Sequence, residues 1–193
     1  MKEIIIFDID DTITNFETTY LEYAIAYDKT LRGSGQIHPE AKVSRSFDWS
    51  EEERREFRAK YRVLTQRNTT IKYGAVKLIN KLSKKYDIWI LSARNAEDFD
   101  MDILETKKWL TSKNIPYSKV IFAKDKAEFI RKTNNVMAYI DDNVKHCEEA
   151  INMGGGAQVY LYTTKENGSI NTRVPRVKSY IELEKVLCQK GMI

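Results

Sequence analysis

The chain has 193 residues, 42% of them hydrophobic and 31% charged. That is the balance of a globular protein with one main core and room for an insertion. Its formal net charge of +4, from 32 basic against 28 acidic residues, is too mild and too dispersed to argue for a nucleic-acid partner, though it suits a cleft for an anionic small molecule. No apolar run approaches the ~20 residues of a membrane span. The first residues run straight into a short strand without a secretory signal, so no membrane partner and a cytoplasmic location are expected. Cys147 and Cys188 lack metal-ligand spacing and read as free thiols.

In chain order, Ile4-Ile5-Ile6-Phe7 is a continuous apolar run rich in β-branched side chains, the mark of a strand buried on both faces of a parallel sheet. Asp8, Asp10 and Asp11 follow at once, then Thr12. Carboxylates crowded at the end of a core strand hold a metal or mark a site, unless they serve only as turn and cap residues. Residues 16–30 carry apolar side chains at helical spacing, and a glycine-containing loop at 32–35 breaks the pattern. Ser50 with Glu53 forms a capping box that opens a second helix through Phe57, Tyr61 and Leu64. Residues 15–73 thus read as a mostly helical insertion.

From Gly74 onward, helices and strands alternate. Strands are expected at 88–91, 120–122, 136–140 and 158–162, with helices between them. Ser179 and Glu182 form a further capping box that starts a C-terminal helix. Alternation of this kind implies a parallel sheet with helices on both faces. Gly154-Gly155-Gly156 precedes a strand rather than a helix and reads as a turn, not a dinucleotide loop.

Each strand end delivers polar residues to the crevice where ligands bind in open α/β sheets. The first gives Asp8 and Asp10, the second Ser92-Ala93-Arg94, the third Lys124, Asp125 and Lys126, the fourth Asp141-Asp142-Asn143. Asp125 and Glu128 make an N-cap pair that puts Lys126 in a first helical turn. A cation there opposes the helix dipole by ~0.3–1 kcal/mol, and a phosphate partner would account for it. A solvated lysine is the plainer alternative, with Lys124 as a second candidate. Asp141 and Asp142 could equally cap the next helix. His38 and His146 fit no metal pattern and read as surface residues.

Asp8-Ile9-Asp10-Asp11-Thr12 resembles the DxDx[TV] signature of the haloacid dehalogenase superfamily, most of whose members are Mg²⁺-dependent phosphohydrolases. The resemblance implies a Rossmann-like parallel sheet of about five strands, with residues 1–14 and 74–193 as the core domain and 15–73 as a small helical cap inserted after strand 1. It implies Asp8 as the nucleophile that becomes an aspartyl-phosphate and Asp10 as the acid for the leaving group. It further implies a Mg²⁺ site of Asp8, the Asp10 carbonyl and Asp142, with Asp141 in support. Phosphate binding falls to Ser92, the adjoining Ala93 and Lys126, with Arg94 as a further neutralising group. The core stretches Ser92-Ala93-Arg94, Thr106-Lys107-Lys108-Trp109 and Asp125-Lys126 are similar to the cytosolic-type deoxyribonucleotidases and their bacterial relatives. This points to a nucleoside monophosphate as the small-molecule substrate. Asp11 departs from the glycine that many members carry. In the cap, Phe16, Tyr20, Phe47 and Trp49 are either core or a stacking surface for a base. Two alternatives remain. One is a phosphatase of the superfamily for another ester, a sugar phosphate or a nucleic-acid 3′-phosphate end. The other is a non-catalytic anion-binding module.

Overall fold

A computed structural model describes residues 2–94 and 103–193. β1 (Ile4–Phe7) lies in the middle of a six-stranded, wholly parallel sheet. On one side of it run β2 (Asp87–Ser92) and β3 (Lys119–Phe122); on the other run β4 (Val136–Asp141), β5 (Gln158–Tyr162) and β6 (Arg176–Val177). The five expected strands are all present. β6 adds two residues at the edge, too short a segment to leave a pattern in the sequence.

The apolar run of β1 is explained by helices on both faces. Ile5 and Phe7 join Leu78 and Leu82 of α3 (Ala75–Ser83) and Leu183 and Leu187 of α7 (Tyr180–Gln189) in one cluster. Ile4 and Ile6, pointing the other way, join Ala127 and Ile130 of α5 (Lys126–Lys132) and Cys147 and Ala150 of α6 (Val144–Asn152) in a second. α4 (Ile103–Ser112) covers the β3 edge through Trp109 and Leu110. The order of the strands reverses between β1 and β4, so the crevice beyond their carboxyl ends is a topological switch point.

Between β1 and α3 the chain forms α1 (Phe16–Leu31), a short 3₁₀ turn (Val43–Arg45) and α2 (Glu51–Asn68). These pack on one another around Tyr20, Tyr27, Phe47, Trp49 and Phe57. The two connecting stretches pair with each other, Lys72 N–H donating to Ile13 O at 2.9 Å and Asn15 N–H to Thr70 O at 2.9 Å. The Ser50–Glu53 capping box is complete. At α7 only half of one forms: Ser179 accepts from Glu182 N–H, while the Glu182 carboxylate takes the Lys178 N–H instead. Phe47 and Trp49, candidates for base stacking, are instead packed inside this helical unit, and the Trp49 indole N–H donates to Asp28 at 2.9 Å. The three glycines at 154–156 all have positive φ, as a turn requires. Cys147 is buried and Cys188 exposed, both as free thiols. Among the described residues no helix is long and apolar enough to cross a membrane.

Candidate active site

Asp8 continues β1 by one residue, and its N–H donates to Ile140 O of β4 at 2.9 Å, which fixes it at the switch point. The next turn is held by Ile9 and Ile13, both fully buried, and by the Ile13 N–H bond to Ile9 O. Within it Asp11 has φ +55°. This left-handed conformation suits glycine, and aspartate is among the few other residues that tolerate it. Its carboxylate accepts the Glu17 N–H at 3.1 and 3.2 Å, capping a helix whose own N-cap residue, Asn15, makes no side-chain cap bond. Burial is the main cause that pushes Asp11 up to about 6, against the opposing Glu17 N–H.

Asp125 caps α5 by accepting the Glu128 N–H at 2.8 Å, as its spacing predicts. Lys126 is 2% exposed, and its ammonium lies 2.5 Å from Asp8 Oδ1 and 2.8 Å from Asp141 Oδ2. Two buried carboxylates therefore offset the placement of a cation in a first helical turn. Lys124 is exposed outside the cleft.

Asp141 and Asp142 are not the caps of α6. Asn143 is, accepting from His146 N–H, and this leaves both carboxylates to the site. They differ sharply. Asp141 is crowded with donors: Lys126, the Tyr139 hydroxyl and the Asn143 N–H at 2.7 Å, with His146 Nδ1 at 3.4 Å. Burial alone would raise it, but Lys126 and then His146 hold it below the usual carboxylate range. Among the described residues, Asp142 accepts only the Thr12 hydroxyl, at 3.3 Å. Burial first, then the charges of Asp141 and Asp8, push it well above its ordinary value. Asp8 is likewise raised to about 7, by burial against the pull of Lys126, with Asp141 and Asp10 adding to the rise. One ammonium serves two carboxylates, and Asp141, with its extra donors, keeps the charge. His146, read from sequence as a surface residue, sits half-buried against Asp141 instead.

Asp8, Asp141 and Asp142 each bring one oxygen within 4.8 Å of the others. Three converging carboxylates, two of them with their charge poorly compensated, suit a hard divalent cation that takes oxygen ligands. The chemistry of this donor set fits Mg²⁺.

Arg94 was expected near phosphate. In the same cleft, its guanidinium pairs with Asp10, Nη2 to Oδ1 at 2.7 Å and Nε to Oδ2 at 3.1 Å, with its side chain 1% exposed. It is therefore a buried ion pair rather than a surface one. Ser92, 2% exposed, accepts the Arg94 N–H with its hydroxyl oxygen.

All the residues expected at the site, Ala93 included, line one cleft of about 370 Å³. Phe16 and Tyr20 form part of its wall, their rings 5.3 Å apart. A cavity of about 550 Å³ adjoins it, sharing Asp11, Glu17, Asp142 and Glu166. Sequence reasoning missed several contributors, Glu166, Arg58 and Arg62 among them. Glu166 lies on the loop after β5, with no motif around it. Arg58 and Arg62 of α2 also line the cleft, but on a strongly charged helix they read as solvated.

No family model matches the chain, and no curated protein matches it. Solved structures do. A haloacid dehalogenase family hydrolase of Deinococcus radiodurans, with bound phosphate and sodium, superposes with a TM-score of 0.69 at 11% identity, covering 100% of this chain and 97% of that one. A haloacid dehalogenase-like hydrolase of Streptococcus pneumoniae gives 0.65 at 14% identity, covering 96% and 98%. A Bacillus subtilis hydrolase of the same kind, bound to magnesium, gives 0.55 at 14% identity over 96% and 98%. Identities this low speak for architecture rather than activity, and on that ground the chain has the haloacid dehalogenase-like hydrolase fold.

Proposed function

We propose that this chain is a Mg²⁺-dependent phosphomonoester hydrolase that works through an aspartyl-phosphate on Asp8, with 15–73 acting as a cap over a core of 1–14 and 74–193. The observation that carries the reading is the contrast between adjacent carboxylates. Asp141 is saturated by protein donors, whereas Asp8, buried, and Asp142, half-buried, stand at the switch point with lone pairs to spare. Such an arrangement is costly unless a cation completes it.

In this reading Asp8, Asp142 and the Asp10 carbonyl hold Mg²⁺, which when bound offsets the charge of the phosphoryl group beside the attacking carboxylate. An Asp8 oxygen attacks phosphorus and the ester P–O bond breaks. The leaving alkoxide takes a proton from Asp10. Asp10 then removes a proton from water, which attacks the aspartyl-phosphate and releases inorganic phosphate. Lys126 fixes Asp8 through Oδ1 and leaves its other oxygen free. Ser92 and Ala93 contact the phosphate. Because Arg94 engages both oxygens of Asp10, acid–base work by Asp10 requires that pair to open.

The substrate we favour is a nucleoside monophosphate, often a deoxyribonucleotide. Support comes from the resemblance of the core motifs to the deoxyribonucleotidases and from the paired rings of Phe16 and Tyr20 on the cleft wall.

The test is phosphate release from ribo- and deoxyribonucleoside monophosphates, sugar phosphates and 3′-phosphorylated oligonucleotides, each with Mg²⁺, with EDTA and with Asp8→Asn. Mg²⁺-dependent release from mononucleotides, lost in the variant, is expected. Release from sugars or DNA ends alone would keep the chemistry and overturn the substrate. No release, even from an aryl phosphate, would leave an anion-binding module.

A further inference from the structure

We infer that the leaving alcohol of the substrate carries a second anionic group, bound by Arg58 from the helical wall of the cleft; the inference rests on the hydrolase reading above and replaces a plain nucleoside monophosphate with an ester whose alcohol is itself anionic, such as a nucleoside bisphosphate.

The cations on the cleft floor are already committed. Lys126 is shared between Asp8 and Asp141, and Arg94 is paired with both oxygens of Asp10. On the rim, Lys42 lies 3.6 Å from Glu166. α2 shows the same habit elsewhere: Arg54 pairs with Glu51 at 3.0 Å, Arg55 with Glu52 at 3.7 Å and Arg67 with Glu105 at 3.5 Å. Arg58 is the exception. It faces the cleft, and no hydrogen bond or ion pair joins it to any described residue. Arg62, one turn further along the same face, lines the cleft beside it.

Depth decides which anion. The groups that would receive the transferring phosphoryl, Asp8, Ser92 and Lys126, are at most 5% exposed. Arg58 is exposed, at the mouth. A guanidinium there meets whatever extends outward from the phosphoryl group, and its planar fork matches a phosphate or a carboxylate. Phosphate and carboxylate are the two sources of this one chemistry.

The experiment compares kcat/KM within two substrate pairs that differ by one anionic group. They are thymidine 5′-monophosphate against its 3′,5′-bisphosphate, and glycerol 3-phosphate against 3-phosphoglycerate. p-Nitrophenyl phosphate reports whether hydrolysis occurs at all. The wild type should favour the more anionic member of one pair by about tenfold or more. Arg58→Ala should collapse that ratio, Arg58→Lys should restore part of it, and thermal melting should stay unchanged. The pair that responds identifies the anion. A wild-type ratio near one in both pairs overturns the inference, and so does an equal loss on both members in Arg58→Ala. No release from any compound, p-nitrophenyl phosphate included, overturns the hydrolase reading and this inference with it.

Discussion

Lys126→Met removes the only charge that the structure sets against both Asp8 and Asp141 among the described residues. All three side chains are nearly out of water, at 2%, 7% and 1% exposure. Deleting one partner of a buried pair leaves an uncompensated charge and costs ~3–5 kcal/mol. An independent bound agrees with that range. A carboxylic acid with an ordinary value of 3.8 that must stay protonated at pH 7 costs ~4 kcal/mol, at about 1.36 kcal/mol per decade. Asp8, raised to about 7, bears most of such a cost already, so the new loss falls on Asp141. The sign follows from the variant. Wild-type Asp141, held below its ordinary value, keeps its charge down to pH 4, whereas in Lys126→Met the stranded carboxyl stays protonated, at a cost that grows with each pH unit above 3.8 and vanishes as pH falls to that value. The gap between wild type and Lys126→Met should therefore be full at pH 7.5 and narrow toward pH 4. Urea unfolding in EDTA at both ends of that range measures it. Asp8→Asn placed on top of Lys126→Met should restore part of the loss by removing one of the stranded carboxylates. A loss below ~1 kcal/mol at pH 7.5, or one that does not change with pH, would refute the ion-pair account.

Asp142→Asn should move two quantities in opposite directions. Mg²⁺ affinity by calorimetry should fall at least about tenfold, while stability in EDTA should rise because a poorly compensated, half-buried carboxylate is gone; a loss of both would mean that Asp142 is structural. Asp11→Ala combines left-handed strain of ~1–2 kcal/mol with loss of a cap worth ~1 kcal/mol. Asp11→Gly keeps only the second, so Ala should be the worse substitution by urea unfolding, and the reverse order would remove the backbone argument. Glu17 is pushed up to about 8, by burial first and then by the Glu166 carboxylate. Its ionisation weakens the fold as pH climbs from 4.5 to 8. Glu17→Gln should therefore raise the melting temperature more at pH 9 than at pH 5.5, and an equal change at both would count against the burial of that carboxyl beside Glu166.

Much of the sheet is written locally. Runs such as Ile4–Phe7 need only neighbouring residues to signal a strand buried on two faces, although which helices meet Ile5 and which meet Ile6 depends on distant chain. β6 escaped because two residues carry no period. The candidate site divides along the same line. Carboxylates placed directly after core strands are visible in the sequence, since burial of charge is improbable without a purpose. Their partners are not visible. Thr12 reaches Asp142 across 130 positions, Lys126 reaches Asp8 across 118, and Arg94 reaches Asp10 across 84. A sequence window therefore treats Asp141 and Asp142 as equivalent. In the fold, adjacent residues on one strand end point to different surroundings, one filled with donors and the other nearly bare. The chemistry follows from that difference. A fully satisfied carboxylate gains little by taking a metal, whereas a buried one short of donors gains a great deal. In the proposed reading, Asp141 is the anchor that orders Lys126 and Asp142 the group with capacity to bind. The same logic separates Arg54, Arg55 and Arg67 from Arg58 on one helix: Arg58, paired with no carboxylate among the described residues, faces the cleft.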